Sequence, residues 1–164
     1  TATPTLLSMG TPDLSRVPES RRYFADQNRV SLVPPQDWKP ATFGDFDGWF
    51  LPEADPQKNQ ILIFLLSTHY DVDALKKLYL DDMQNTLPGM QIIREDALTS
   101  AVGSTYLRWE VQYPISDGTT IHGVYYFYGT KNWNFVMVFS RQEGQYSEQD
   151  PIVDETAKTV RLIE

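Results

Sequence analysis

The chain has 164 residues, a length that suits one domain and is short for two. Its formal net charge is -8 and it has no run of Lys or Arg, so binding to nucleic acid or to an anionic membrane surface is disfavoured. It contains no Cys, which excludes disulfides, thiolate metal ligands and a Cys nucleophile.

Residues 1–20 are predicted to be a Thr/Pro-rich linker, and residues 21–164 a single domain. Pro-rich segments are extended and have little surface to bury. Because the chain starts at Thr1 rather than Met, we expect that an upstream signal or membrane anchor has been removed. The linker would then tether an exported domain, and an ordinary frayed terminus is the alternative.

The first half of the domain is rich in β-forming residues. Strands are predicted at residues 23–24 and 29–33, on either side of a turn at 26–28, and again at residues 48–51. Residues 61–66 are apolar at every position, which is typical of a strand buried on both faces.

Two helices are predicted, one in the middle of the chain and one at its end. The first begins after Asp71, a good N-cap, and ends at Pro88. Its apolar side recurs at helical spacing and consists of Leu75, Leu78, Tyr79, Met83 and Leu87. The second has Asp150 as its cap and Pro151 at its first position. Its apolar stripe is formed by Ile152, Val153, Thr156, Val160 and Ile163.

A meander of four strands is predicted between the helices. The strands span residues 91–98, 105–113, 120–128 and 132–140, and a first turn lies at 102–104. If Asp117-Gly118 and Thr130-Lys131 are both two-residue turns, three strands share one apolar face. That face consists of Leu107, Trp109, Val111, Val124, Tyr126, Tyr128, Trp133, Phe135 and Met137. We expect Trp109, Tyr126 and Phe135 to form one cluster.

The opposite face of the meander is mixed in character. It carries Arg108 and Glu110 together with Tyr125 and Phe127. Protein interfaces combine aromatic residues and Arg with a polar rim, so these four are the candidate partner-binding residues. The alternative, which we favour, is that the C-terminal helix covers this face. Two helices and an antiparallel sheet predict an α+β fold, an αβα sandwich with a central meander sheet.

Motifs that carry chemistry are weak. His69 lies in a predicted loop and His122 on the aromatic face, whereas a zinc site needs three or four ligands. The segment Asp45-Phe46-Asp47-Gly48 is similar to the start of a calcium loop but lacks the later oxygen ligands, so a polar turn is favoured. No nucleophile elbow, P-loop or dinucleotide-binding pattern occurs. We therefore expect no catalytic residue, no cofactor and no structural metal.

The order of elements resembles the PsbP superfamily, which includes DcrB-like bacterial proteins and Mog-type Ran-binding proteins. The resemblance rests on five segments: Pro34-Pro35-Gln36-Asp37-Trp38, Leu87-Pro88-Gly89, Leu107-Arg108-Trp109-Glu110-Val111, Tyr125-Tyr126-Phe127-Tyr128 and Thr159-Val160-Arg161-Leu162. It implies an αβα sandwich and no common activity. PsbP proteins are extrinsic accessory proteins of photosystem oxygen evolution, and other members are bacterial envelope lipoproteins, Ran-binding factors or secretion adaptors.

These observations lead to three functional hypotheses. The first is a non-enzymatic accessory or binding domain with a protein partner, located outside the cytoplasm and tethered to a membrane through its N-terminal segment. The second is a cytoplasmic adaptor or chaperone that binds a protein segment through the sheet face bearing Tyr125 and Phe127. An enzyme is the least favoured. A signal peptide or lipobox upstream of Thr1 would separate the first from the second.

Overall fold

The computed structural model describes residues 6–8, 10–99 and 105–163. The first half of the chain contains β1 (Leu6–Ser8), β2 (Tyr23–Ala25), β3 (Val30–Leu32), β4 (Lys39–Phe43), β5 (Phe46–Phe50), β6 (Gln60–Leu66) and α1 (Val72–Thr86). The second half contains β7 (Gln91–Thr99), β8 (Thr105–Pro114), β9 (Thr120–Gly129), β10 (Asn134–Gln142), α2 (Asp150–Lys158) and β11 (Arg161–Leu162). The predicted turn at 102–104 and the start of the predicted linker, residues 1–5, lie outside the described residues.

The strands form two sheets. Eight described strands form the main sheet in the order β1-β7-β8-β9-β10-β6-β5-β4, and a small sheet has the order β11-β3-β2. Neighbouring strands are antiparallel except β1 and β7, which are parallel. Helix α1 packs on one face of the main sheet, while α2 and the small sheet pack on the other. The predicted αβα sandwich is confirmed.

Helix α1 covers part of its face of the main sheet. It begins as predicted, because the Asp71 carboxylate accepts a hydrogen bond from the Ala74 N–H at 2.8 Å and so satisfies one of the unpaired donors at the helix start. Leu75 and Met83 are buried against a cluster that includes Trp109 and Phe127 of β8 and β9. Full burial of an apolar side chain contributes about 1.5–3 kcal/mol, so these contacts fix the helix on the sheet.

The predicted register of the hairpin between β8 and β9 is wrong by one residue. Its loop has three residues, 116–118, because the Ile115 N–H bonds to the Thr119 carbonyl at 2.8 Å and Gly118 takes a φ of 84°. An odd loop length changes which residues face each other, and Trp109 lies opposite Tyr125 instead of Tyr126. The β8 side chains of the predicted apolar face therefore lie on the face of the sheet opposite to Tyr126, and not on the same face as predicted.

The next hairpin also turns one residue later than predicted. The Thr130 N–H bonds to the Trp133 carbonyl at 2.9 Å, so the two turn residues are 131–132. Tyr126 then faces Met137 instead of Phe135, an even shift that leaves the faces unchanged. Tyr126 and Phe135 do share a buried cluster with α2 and the small sheet, but Trp109 lies in the cluster beneath α1. The predicted cluster of all three is wrong.

The C-terminal helix is shorter than predicted. Helix α2 ends at Lys158, Asp150 lies within it, and Ile163 is 60% exposed instead of completing the apolar stripe. The chain turns at Thr159, whose hydroxyl accepts from the Val33 N–H at 2.8 Å and whose carbonyl accepts from the Arg22 guanidinium at 2.8 Å. These hydrogen bonds hold Thr159 against Val33 and Arg22. The helix therefore stops at Lys158, and the chain continues into the small sheet.

The segment assigned to the linker contacts the domain. Val17 is completely buried, and the Asp13 N–H donates to the Glu155 carboxylate of α2 at 2.6 Å. The Arg16 carbonyl accepts from the Gln36 N–H at 3.1 Å. The boundary between linker and domain at residue 21 stays a prediction, and these contacts place the later part of the predicted linker against α2.

Candidate functional site

A groove of about 470 Å³ lies between α1 and the part of the main sheet that α1 leaves uncovered. We call it the α1 groove. Strands β6 and β10 form its floor, α1 forms one wall, and Tyr113 of β8 and Tyr125 of β9 close one end. It is lined by Gln60, Leu62, Phe64, Leu66, Leu78, Tyr79, Asp82, Met83, Thr86, Leu87, Tyr113, Tyr125, Val138 and Ser140.

The alternation of side chains along β6 produces the floor of the α1 groove. Ile61 and Ile63 point toward α2 and are buried, whereas Leu62 and Phe64 point toward α1 and are only half-buried. The prediction that residues 61–66 are buried on both faces is therefore wrong for the α1 side, because α1 lies over β8 and β9. An apolar strip of sheet is left accessible beside the helix.

Exposed apolar side chains extend the surface of the α1 groove beyond its floor. Leu78 of α1 and Phe46 of β5 are each 43% exposed. The Phe46 ring contacts the Phe64 ring at the floor, with centroids 4.5 Å apart. Exposed apolar patches of this kind mark binding grooves in soluble proteins.

Tyrosine side chains and one carboxylate line the end of the α1 groove that β8 and β9 close. Tyr79 and Tyr125 meet edge to face with ring centroids 6.1 Å apart, and Tyr113 lies beside them in the lining. Burial raises the pKa of Tyr79 to about 12, and the negative charge of Asp82 adds to the rise. Burial also raises the pKa of Tyr125, so both phenols are neutral at neutral pH. Among the described residues that line the groove, Asp82 carries the formal charge.

Seven of the nine tyrosines, including Tyr79, have a raised pKa in the folded protein. We expect their neutral form to contribute stability that is present below the unfolded pKa of about 10 and is lost as pH rises from there toward 12. In a spectrophotometric titration at 295 nm, few tyrosines should ionise near pH 10, and most should ionise together with the loss of near-ultraviolet circular dichroism. Ionisation of all nine near pH 10 while the fold persists would contradict this.

The structure separates the four residues predicted to bind a partner. Arg108 and Glu110 lie on the α2 side, joined by an ion pair of 2.5 Å, whereas Tyr125 and Phe127 lie on the α1 side. Arg108 is buried beneath Asp154 of α2, with the guanidinium 3.0 Å from the carboxylate. The prediction that the four share one face is wrong, because the β8–β9 loop has three residues. A partner-binding role for each of them stays a prediction.

Tyr125 is the predicted residue that lines the α1 groove, and Phe127 lies next to it. The Phe127 ring contacts the Tyr79 ring, with centroids 5.0 Å apart. Sequence reasoning missed the groove residues Leu62, Phe64 and Asp82. The continuous apolar run of β6 indicates that Leu62 and Phe64 line a groove only when the position of α1 on the sheet is known.

No group of three or more His, Asp or Glu side chains that could hold a metal is present in the part of the chain that the structure describes. The Asp47 carboxylate accepts from the Tyr23 hydroxyl at 2.6 Å, and Gly44 and Asp45 form the turn between β4 and β5. His122 is buried with its ring nitrogen 3.3 Å from a Glu143 oxygen. The segment that resembles a calcium loop is thus a β-hairpin.

We expect EDTA at millimolar concentration to leave the melting temperature unchanged. A chelator lowers the melting temperature only when it removes a metal that stabilises the native state, and we expect no structural metal. Differential scanning fluorimetry with and without the chelator measures this. A drop in melting temperature that added Ca²⁺ or Zn²⁺ restores would contradict the prediction, and Asp45→Asn would then be the first variant to test.

Comparisons at the level of sequence find no relative of this chain. No protein-family model matches the sequence, and no curated protein matches it significantly. None of the helices in the described residues is long and apolar enough to cross a membrane.

Solved structures are similar to this chain. The solution structure of cyanobacterial PsbP (CyanoP) from Synechocystis sp. PCC 6803 matches 87% of this chain and 91% of its own, with a TM-score of 0.64 and 13% identity. LpqN of Mycobacterium tuberculosis, which is involved in cell envelope biogenesis, matches 82% of this chain and 83% of its own, with a TM-score of 0.57 and 18% identity.

A crystal structure from Bacteroides thetaiotaomicron matches 88% of this chain with a TM-score of 0.60 and 15% identity, and the chain spans 48% of that protein's length. At these identities the likeness shows the fold alone. The chain has the PsbP-like fold, which confirms the resemblance predicted from the sequence.

Proposed function

We propose that this chain is a non-enzymatic accessory or binding domain that holds a segment of a partner protein in the α1 groove. The observation that carries the proposal is the strip of half-buried apolar side chains on β6 that α1 leaves uncovered, with Leu78 exposed beside it. A groove of about 470 Å³ is within the range of ligand-binding sites, and its lining is mainly apolar with a few polar groups, as such sites are.

The chemistry of the groove favours binding over catalysis. Its described lining residues include no His that could act as a general base for Ser140, and the three tyrosines are held neutral by raised pKa values. Its one carboxylate, Asp82, has no second carboxylate in the lining with which to share acid–base roles. Neither CyanoP nor LpqN, two of the similar solved structures, is named for a catalytic activity.

We further propose that the domain acts outside the cytoplasm, tethered through the Thr/Pro-rich residues 1–20. LpqN is named for cell envelope biogenesis, and the absence of Cys is compatible with this location. Fractionation of the native cell tests it: the protein should sediment with membranes and be degraded by protease added to cells whose outer layer is opened. Recovery in the soluble cytoplasm would favour the cytoplasmic adaptor instead.

Site-specific photo-crosslinking in the native cell tests the groove. A benzoylphenylalanine at Leu78 should give one discrete adduct with a partner protein on irradiation, because that side chain stands at the groove rim. The matched control is the same substitution at Ile163, which is 60% exposed on the opposite side of the main sheet. Equal adducts from both positions, or none from Leu78, would refute groove binding.

A neutral apolar dye provides an independent test on the purified chain. N-phenyl-1-naphthylamine should gain fluorescence in the groove, and Leu78→Asp should weaken its binding at least about tenfold, because the change puts a charge beside the apolar floor. Ile163→Asp makes the same chemical change elsewhere and should leave dye binding unaltered. Loss of binding in both variants would mean that the dye reports general stability and not the groove.

A further inference from the structure

On the wall formed by α1, the α1 groove carries a negative charge that no described basic side chain pairs with. Asp81 and Asp82 are adjacent and exposed, but Asp81 pairs with Lys77 at 2.9 Å, whereas Asp82 forms no ion pair with any residue that the structure describes. None of the described residues in the lining is basic. The groove thus presents a carboxylate and supplies no cation of its own.

Aromatic rings stand beside that carboxylate. Tyr79 and Tyr125 are edge to face at 6.1 Å and both are half-buried, and Tyr113 completes the same end of the lining. Asp82 follows Tyr79 by three residues on α1, so the two side chains are neighbours on the helix surface, and both line the same groove as Tyr125. A ring face attracts a cation, and the attraction is stronger where the cation is partly removed from water.

We infer that the α1 groove selects a partner segment in which a Lys or Arg side chain follows or precedes an apolar one. The apolar side chain would occupy the floor over Leu62 and Phe64, and the cation would lie against Tyr79 and Tyr125 beside Asp82. This inference rests on the proposed function. It adds the chemistry of the occupant.

Two further observations favour a basic protein segment over a small ligand. The apolar surface continues past the groove to Phe46, whose ring contacts Phe64 at 4.5 Å, so an extended occupant gains contacts that a compact molecule does not. The net charge of -8 attracts a basic partner at long range and speeds its encounter. A fatty acid fits poorly, because its carboxylate would face Asp82 with no Lys or Arg in the lining to offset it.

Selection from a random dodecapeptide display library on the whole 164-residue chain tests the inference. Peptides that bind the unaltered chain but not Leu78→Asp should be enriched in Lys or Arg within two positions of Leu, Ile or Phe. One selected peptide is then synthesised with its Lys kept, acetylated or replaced by Glu, and affinities are measured by fluorescence anisotropy. Acetylation should weaken binding about three-fold to tenfold, and Glu should weaken it further.

Variants of the chain identify the groups that act on the cation. Asp82→Asn should weaken binding of the Lys peptide about three-fold to tenfold and leave the acetylated peptide unaffected, whereas Asp81→Asn should change neither by more than about two-fold. Tyr79→Phe keeps the ring and should retain affinity, while Tyr79→Leu should lose it. Urea unfolding of each variant checks that the fold is kept.

The outcomes separate the inference from the function on which it rests. If groove-dependent peptides are selected but Lys, acetylated Lys and Glu bind equally, the cation inference is overturned and the binding function stands. If no selected peptide depends on Leu78, both are overturned. If Asp81→Asn and Asp82→Asn weaken the Lys peptide equally, the attraction is a general effect of net charge and the assigned position of the cation is refuted.

Discussion

Truncation of Trp109 to Ala should lower the free energy of unfolding by about 3–5 kcal/mol, the usual cost of emptying a buried aromatic site. The indole is 2% exposed, and its ring meets the Phe127 ring edge to face with centroids 5.1 Å apart. It lies beneath α1, with Leu75 and Met83 in the same cluster. Urea unfolding followed by circular dichroism measures the loss as a lower midpoint.

A double-mutant cycle locates the Trp109 side chain on one face of the sheet. For Trp109→Ala and Phe127→Leu, the loss of unfolding free energy in the double variant should differ from the sum of the two single losses by about 0.5–3 kcal/mol, because the two rings touch. Combined with Phe135→Leu, the losses should add to within about 0.5 kcal/mol, because Phe135 is buried on the opposite face. Coupling to Phe135 with additivity at Phe127 would mean that the two-residue turn at Asp117 and Gly118 is correct after all.

Replacement of Arg108 by Met should cost about 3 kcal/mol, the effect of removing one partner from a buried ion pair. The side chain is 9% exposed and lies between Glu110 and Asp154, while Asp154 also accepts a hydrogen bond from the Tyr126 hydroxyl. Without the guanidinium, Glu110 and Asp154 would both lose the ion pairs that they form with it, while Arg94 would still pair with Asp96. Burial lowers the pKa of Arg108, but the interactions with Tyr126, Asp154 and Glu110 together outweigh it and raise the pKa, so the guanidinium stays charged throughout the measurable range.

The matched control is Arg94→Met, which removes an ion pair of 2.7 Å with Asp96 from a side chain that is 60% exposed. Exposed pairs contribute about 0–1 kcal/mol, so this variant should be nearly as stable as the unaltered chain. Adding Asp154→Asn to Arg108→Met should recover part of the loss, because it removes one uncompensated charge. Equal small losses for Arg94 and Arg108 would show that the network beneath α2 does not stabilise the fold.

Local sequence signals predicted the elements well and their long-range placement poorly. Asp71 and the apolar spacing after it specify α1 without reference to the rest of the chain, and the helix is observed as predicted. Asp117 and Gly118 correctly indicate a hairpin, but a Gly with positive φ suits both a two-residue and a three-residue loop. The sequence does not decide between these two loops. A difference of one residue in loop length changes which β9 side chains share a face of the sheet with each β8 side chain.

The β4 strand and the α1 groove were missed for different physical reasons. Strand β4 contains Lys39 and Pro40, which suit an edge strand because Lys keeps its charge in solvent and Pro has no N–H to donate, and their presence lowers the local β signal. The groove depends on which strands α1 covers, and that follows from Leu75 and Met83 fitting against Trp109 and Phe127. Such packing joins residues that are distant in sequence and leaves no local pattern around Leu62.

The small sheet joins the two ends of the chain, since β2 and β3 come early and β11 is formed by Arg161 and Leu162. During synthesis β3 gains its second neighbour only after Arg161 and Leu162 have been added, and such non-local pairings slow folding. Until then the small sheet, which helps to cover the aromatic face of the main sheet around Tyr126, is incomplete, and exposed apolar sheet is prone to aggregation. The pairing of β11 with β3 therefore completes the cover of this face, and we expect the face to stay accessible to chaperones until Arg161 and Leu162 have been synthesised.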